Sequence, residues 1–513
     1  VTVSVAAGAA AKTINVSAAS KSQLTVSGAA LETLTVAGAG AAKINGLSSL
    51  ALKSVTSTNT SGVTLGALNA ATRTLTTGDG ADSATIAATT TVTVDTGSGN
   101  DSLSLNATIA AGSTINLGAG NDKLLNAGSG VITTGANSTT GVATAINGGE
   151  GNDTIAASML TVGTAALVTG FEVLGLDLTT NGATFDTEIL AGATGLEMLK
   201  APASGDNVTY TNVLLSESLQ VNANGGAGST TLSFKTGQAA GTADTYSVTF
   251  GARGAANSTA TSTTSIDAGT LVVQGIENVA IVSNQASGFV NNTIDLTSAQ
   301  LKTVTLTGAA TTTTLAFVGT NGTNASAGGG AVNSIDGSAL TGALAVNLTN
   351  ITVDNGALGL TVRGGAGRDT ITTAGITAVV FGGAGADTFV VASNTGTAPT
   401  VTISDLASGD RIDMAGSSMT AGALGAATNV SAATSLAAAL EIANGNSSTS
   451  SPVPQLVWFQ YAGNTYLYND LVDAVSGTNT QGVLGTNDNI VMITGLVNLT
   501  GSTFDASAIL TVA

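Results

Sequence analysis

Six short segments of one shape, Gly-x-Gly-x-Asp, constrain this chain more than any other feature. They are Gly78-Asp79-Gly80-Ala81-Asp82, Gly97-Ser98-Gly99-Asn100-Asp101, Gly118-Ala119-Gly120-Asn121-Asp122, Gly149-Glu150-Gly151-Asn152-Asp153, Gly365-Ala366-Gly367-Arg368-Asp369 and Gly383-Ala384-Gly385-Ala386-Asp387. Gly148, Gly364 and Gly382 add a leading glycine to three of them. Glycine permits the positive-φ backbone of a tight turn and lets carbonyl oxygens point at a cation. Aspartate adds a charged hard oxygen, and calcium takes six to eight oxygen ligands. After each Asp comes a polar residue and usually an aliphatic strand, which can turn inward and fill a thin core.

The pattern is that of the nonapeptide Gly-Gly-x-Gly-x-Asp-x-aliphatic-x, which binds calcium in a parallel β-roll. Asp369 and Asp387 are 18 residues apart, two nonapeptides or one full turn, so their turns are expected to stack and share an ion. Asp82, Asp101 and Asp122 follow one another at 19 and 21 residues, a turn with small insertions. Asp153 lies 31 residues further on, which leaves its register open. One such segment would be ordinary turn chemistry, since Gly and Asp favour turns anyway. Six, with one pair at the ideal spacing, call for a metal.

Composition agrees. Hydrophobic residues make up 43% of the 513, but aromatics only 3%, so Ala and Val carry the apolar content. Small and β-branched side chains suit thin stacked strands better than a thick interior. Charged residues are 9%, against about 25% in ordinary domains. With neither Cys nor His, the chain has no disulfide, no thiol chemistry, no Ser-His-Asp triad and no His-based metalloprotease site. A net charge of −18 argues against nucleic acid and anionic lipid and is compatible with divalent cations. No apolar run approaches the 18 residues of a membrane span.

The expected fold is all-β: an elongated parallel β-solenoid or β-roll, with additional β-rich segments and a C-terminal β-rich cap. Residues 1–74 read as solenoid repeats, because Thr13-Ile14-Asn15-Val16, Leu24-Thr25-Val26-Ser27 and Leu34-Thr35-Val36-Ala37 recur every ten residues. Residues 75–155 form a first calcium roll. Residues 156–340 are a Thr-rich β domain of solenoid or sandwich strands, punctuated by Gly170-Phe171-Glu172, Gly195-Leu196-Glu197 and Gly275-Ile276-Glu277. A second roll spans 341–413. In 414–513, Ala432 to Ala443 suit a short helix. There Val457 to Tyr461 and Thr465 to Tyr468 read as a hairpin about a Gly-Asn turn, an aromatic cap for the solenoid end.

The Gly-Asp repeats resemble the RTX (repeats-in-toxin) family, whose members leave the cell unfolded through a type I channel and fold on meeting calcium. Val401 to Asp413 is similar to that family's roll-closing segment, which implies Asp405, Asp410 and Asp413 as further calcium ligands. Asp488 to Leu496, continuing to Phe504 and Leu510 to Ala513, resembles its uncleaved export signal. The Trp458-Phe459-Gln460-Tyr461 hairpin and the Ala/Thr-rich composition are closest to RTX surface-layer proteins of the Caulobacter type. Three motifs depart from the family pattern by lacking the leading Gly, and Arg368 puts a cation into a fourth.

The resemblance implies a secreted, non-enzymatic structural protein of the cell surface. It would bind several calcium ions and join copies of itself into a planar lattice, with type I secretion machinery as a further partner. Val1 stands where a Met would begin a full chain, so the family's lipopolysaccharide-binding anchor is expected to lie in an N-terminal portion absent here. The alternative is a secreted RTX adhesin binding glycans or ice, suggested by Thr-rich strands such as Thr311 to Thr314. An enzyme fits less well, since Tyr210, Tyr246 and Lys200 are too scattered to make a site.

Overall fold

The computed structural model describes residues 2–6, 10–28, 30–47, 51–87, 89–128, 130–222, 228–251, 266–284, 291–319, 321–322, 332–351, 359–373, 375–391, 399–414, 421–445, 455–470, 489–507 and 509–513. Strands hold 48% of the chain and helices 4%, and nearly every strand pairing is parallel, so the fold is a parallel β-solenoid. Two compact units can be distinguished, one built on Val1–Gly228 and one on Ser229–Gly251 with Ser262–Ala513.

In the first unit the ten-residue repeat is half a turn. Each repeat contributes one strand, and the next repeat places its strand on the opposite sheet. Thr13–Ser17 therefore pairs with Thr33–Ala37, in register from Thr13 to Thr33, while Ser22–Ser27 pairs with Ala42–Asn45. Side chains alternate along a strand, so one set faces in. Leu34, Val55, Leu75, Val94, Ile115 and Ile146 line one inner wall and Ile44, Leu65, Leu103, Leu124 and Ile155 the other, all nearly solvent-free. Outward positions carry Thr, Ser and Asn, where β-branched or small polar side chains suit a half-exposed strand.

The ladders run on through 74/75 and 155/156: Ser54–Ser57 pairs with Thr74–Thr76, and Thr154–Ala156 with Val173–Leu176. The region open to either a solenoid or a sandwich is a solenoid. Tyr210, within Asn207–Val213, is a core residue whose hydroxyl accepts the Leu178 N–H at 3.1 Å.

The second unit repeats the plan with longer strands. Thr245–Phe250, Asn278–Ser283, Thr303–Gly308, Ser334–Leu340, Leu360–Arg363, Ala378–Phe381 and Val401–Ile403 form one parallel sheet. Ile266–Val272, Asn291–Thr297, Thr312–Phe317, Ala343–Asn347, Thr370–Thr372, Thr388–Val390 and Arg411–Asp413 form the other. Tyr246 and Phe250 are fully buried between them.

The C-terminal residues end this second coil by reversing polarity. Asn489–Ile493 adds one more parallel strand beside Val401–Ile403, then pairs antiparallel with Asn464–Asp470, the second arm of a hairpin begun by Gln455–Tyr461. Ile509–Thr511 closes the other sheet antiparallel to Arg411–Asp413. The helix Leu436–Gly445 lays Ala439, Leu440 and Ala443 on Phe459, Tyr466 and Tyr468, and the Phe459 and Tyr466 rings stack at 5.2 Å.

Two local expectations are corrected. The hairpin turns on Ala462-Gly463, not Gly-Asn: Tyr461 pairs with Asn464, leaving two loop residues with φ of 49° and 83°, the double positive-φ turn that matches strand twist. The helix starts at Leu436 instead of Ala432, because the Ser435 hydroxyl accepts the Ala438 N–H at 3.1 Å and caps it there. The segment resembling an export signal is folded into these strands, with Ile490, Val491, Ile493 and Leu510 buried; Asp488 lies outside the described residues.

Candidate metal centre

The first four Gly-x-Gly-x-Asp segments lie one above another at one corner of the first unit, each leading into a strand of the same sheet. Glycine is needed because the rungs touch through backbone. A Cβ on Gly118 would sit 1.8 Å from the Gly97 carbonyl oxygen, and one on Gly151 would sit 1.7 Å from that of Gly120. Two residues beyond each Asp the chain turns inward, burying Leu103, Leu124 and Ile155.

That stacking makes a column of carboxylates. The N–H of Val63 donates to Asp82 Oδ1 at 2.6 Å, that of Asp82 to Asp101 Oδ1 at 2.8 Å, and that of Asp101 to Asp122 Oδ1 at 2.7 Å. The Asp122 N–H donates to Asp153 Oδ1 at 2.8 Å, and the Asp153 N–H to Glu172 Oε2 at 3.1 Å. Asp153 is thus in register despite its 31-residue spacing, the extra residues falling in the connection between Lys123–Asn126 and Ala145–Glu150. Beside it runs a second column: Asn100 Oδ1 accepts the Asn121 N–H at 2.8 Å, and Asn121 Oδ1 the Asn152 N–H at 2.9 Å.

The other oxygen of each aspartate is the informative one. Oδ2 of Asp82, Asp101, Asp122 and Asp153 is buried and has no hydrogen-bond partner. Buried polar groups are almost always paired, and an unpaired buried carboxylate is expensive. Burial, reinforced by neighbouring carboxylates, pushes Asp101 and Asp122 up to about 7 and Asp82 and Asp153 up to about 6, although backbone N–H donors oppose the shift. Four hard, desolvated oxygens at one-rung intervals are a donor set that a divalent cation satisfies. Among the described residues, no group of three or more carboxylates is gathered as a metal cluster. Calcium here would therefore take one or two carboxylates and complete its shell with backbone carbonyls, as the glycine-rich turns allow.

The second unit shows a related column. The Leu344 N–H donates to Asp369 Oδ1 at 2.7 Å, that of Asp369 to Asp387 Oδ1 at 2.8 Å, and that of Asp387 to Asp410 Oδ1 at 2.9 Å. The pair at ideal spacing does stack, and Asp410 joins it. Here more of the second oxygens are occupied: Gly365 N–H donates to Asp369 Oδ2 at 2.5 Å and Ala407 N–H to Asp410 Oδ2 at 2.8 Å. Asp405 straddles the N–H groups of Gly382 and Gly383, both at 2.9 Å. Burial again raises Asp369 to about 6, and raises Asp387 and Asp410. Asp413 stands apart from the column, in the strand Arg411–Asp413 opposite Val390 and Ile509. Arg368 is exposed and reaches along the corner, its Nε donating to Ala386 O at 3.4 Å.

Three glutamates in similar phrases have different roles. Glu172 and Glu277 accept the N–H of an acidic residue one rung earlier, Asp153 and Asp244. Glu197 lies within Gly195–Met198 and is buried against Lys123, with Asn222 donating to it at 2.6 Å and Thr154 at 2.8 Å. No protein-family model matches the chain, and no curated protein matches it. Among the described residues, no helix is long and apolar enough to cross a membrane.

Proposed function

We propose that this chain is a calcium-folded structural protein of the bacterial surface, whose copies join into a planar surface layer. The observation that carries the calcium part is the column of buried, partnerless Oδ2 atoms of Asp82, Asp101, Asp122 and Asp153. Without the ion, each is a desolvated charge in a chain that has no disulfide to hold it. With it, free calcium at ten times the dissociation constant adds about 1.4 kcal/mol per site. Extracellular calcium modules work near 10⁻⁴ to 10⁻³ M, so cytosolic calcium leaves such sites empty. That asymmetry suits a protein exported unfolded, through the type I route its C-terminal phrases suggest, and folded outside.

The surface-layer part rests on the sequence resemblance and on what the chain offers, stacked rungs with outward Thr, Ser and Asn. Electron microscopy of the purified chain in millimolar calcium, and again in EGTA, tests it. Ordered sheets that form in calcium and disperse in EGTA are expected. Folded but solitary particles in calcium would overturn the lattice and favour an adhesin. That second reading draws on the outward column Thr13, Thr33, Ser54, Thr74, Thr93 and Thr114, which is in register across six rungs.

A further inference from the structure

One corner of the first unit departs from the Gly-x-Gly-x-Asp pattern yet repeats its geometry. Gly148 leads the segment ending at Asp153. A Cβ on Gly148 would lie 1.8 Å from the carbonyl oxygen of Gly170, in the next rung, and 2.7 Å from Asp153 Oδ2. The second unit has the same arrangement at Gly364, where a Cβ would lie 2.3 Å from the Gly382 carbonyl oxygen and 2.1 Å from Asp369 Oδ2. In both places the missing side chain leaves room for a carboxylate oxygen and the next rung's glycine carbonyl to converge. Gly170 therefore occupies the place of Gly382.

The next rung also supplies a carboxylate in both places. Asp387 Oδ1 accepts the N–H of Asp369, and Glu172 Oε2 accepts the N–H of Asp153. Glu172 follows Gly170 by two residues where Asp387 follows Gly382 by five. Despite the shorter corner the two acids hold equivalent places, since Val173 pairs with Thr154 as Thr388 pairs with Thr370. Asp153 itself is fully buried, with Oδ2 unpartnered. In the other turns of the first unit, Thr77, Thr96 and Leu117 stand where Gly148 does, so this step alone among the four carries no side chain at that position.

We propose that Glu172 closes the carboxylate column as a calcium ligand, with Asp153 Oδ2 and the Gly170 carbonyl completing a site that no Gly-x-Gly-x-Asp pair marks. This rests on the calcium reading of the column and extends it by one ion beyond the repeats. Glu172 is half-buried, so Glu172→Gln preserves an acceptor for the Asp153 N–H while removing the charge.

The test is calcium binding to the full chain by equilibrium dialysis, for wild type, Glu172→Gln, Gly148→Ala and Asp369→Asn, with circular dichroism in saturating calcium confirming that each is folded. Glu172→Gln is expected to bind one ion fewer than wild type, or to weaken one site at least tenfold, with the remaining sites unchanged. Gly148→Ala should lose the same ion, because its methyl fills the space. If both bind calcium as wild type does while Asp369→Asn loses an ion, this inference is wrong and the calcium column stands. If wild type binds no calcium, both fall together.

Discussion

Replacing Asp101 and Asp122 together with Asn is expected to stabilise the calcium-free protein and destabilise the calcium-loaded one. Asn keeps the oxygen that accepts the N–H of Asp82 or Asp101, so the backbone column survives. What disappears is a buried charge whose second oxygen has no partner. Leaving a buried group unsatisfied costs on the order of 1–3 kcal/mol and more when it is charged, so the neutral Asn amide lowers that cost without removing it. Two replacements should therefore raise the calcium-free melting temperature at pH 8 by about 4 °C or more, using roughly 2–4 °C per kcal/mol for a unit of this size.

In calcium the order reverses. Asp101 and Asp122 take part in three inter-rung steps, and at tenfold the dissociation constant each step contributes about 1.4 kcal/mol, more in total than a relief of about 1 kcal/mol per replaced charge. The pH dependence has a definite sign. These carboxyls are raised to about 7 in the fold, so the metal-free wild type binds extra protons there between about 4 and 7. That contribution is fully present below the ordinary value of 3.8 and is lost as pH rises through about 7. The advantage of the Asn variant without calcium should be largest at pH 8 and shrink by pH 5. A variant that melts below wild type in both EGTA and calcium would mean that the carboxylates act only as hydrogen-bond acceptors.

Deleting residues 455–513 is expected to abolish monomeric solubility even in saturating calcium. Asn489–Ile493 covers the edge of Val401–Ile403, and Ile509–Thr511 covers that of Arg411–Asp413. Their loss exposes the last parallel rung, with its row of unpaired N–H and C=O groups, which is a template for another chain. It also uncovers the helix face formed by Ala439, Leu440 and Ala443. Size-exclusion chromatography should show aggregate, and in the producing cell the deletion should leave the chain inside. A monodisperse, secreted truncation with an unchanged calcium midpoint would refute the cap. Trp458, whose indole N–H donates to Gly425 O at 2.9 Å, gives a fluorescence reading of the intact cap in the full chain.

Much of the fold is legible before any coordinates. A strand of alternating Thr and Val every ten residues leaves the chain little alternative to two sheets with alternate repeats on each, and Thr13 over Thr33 is the result. The spacing of Asp82, Asp101 and Asp122 likewise announces the column, because one turn is close to 20 residues in that stretch. Asp153 is harder to place, since residues inserted in a connection change sequence distance without changing rung order. Glu172, Glu197 and Glu277 mark the limit. Their phrases look alike, but Val173 pairs with Gly195, which sets Glu197 opposite Gly175 in the strand and leaves Glu172 at the corner. Register is a property of neighbouring rungs, and a short phrase does not carry it. Asp413 shows the same limit: three residues past Asp410, it has already entered the strand.

The most direct test is an experimental density map of the protein in millimolar calcium, at a resolution that separates ions from water. The account predicts peaks between successive rungs, about 2.3–2.6 Å from Oδ2 of Asp82, Asp101, Asp122 and Asp153, each also touching glycine carbonyl oxygens. Carboxylates that stay paired only with backbone N–H groups, with water or nothing at Oδ2, would contradict it.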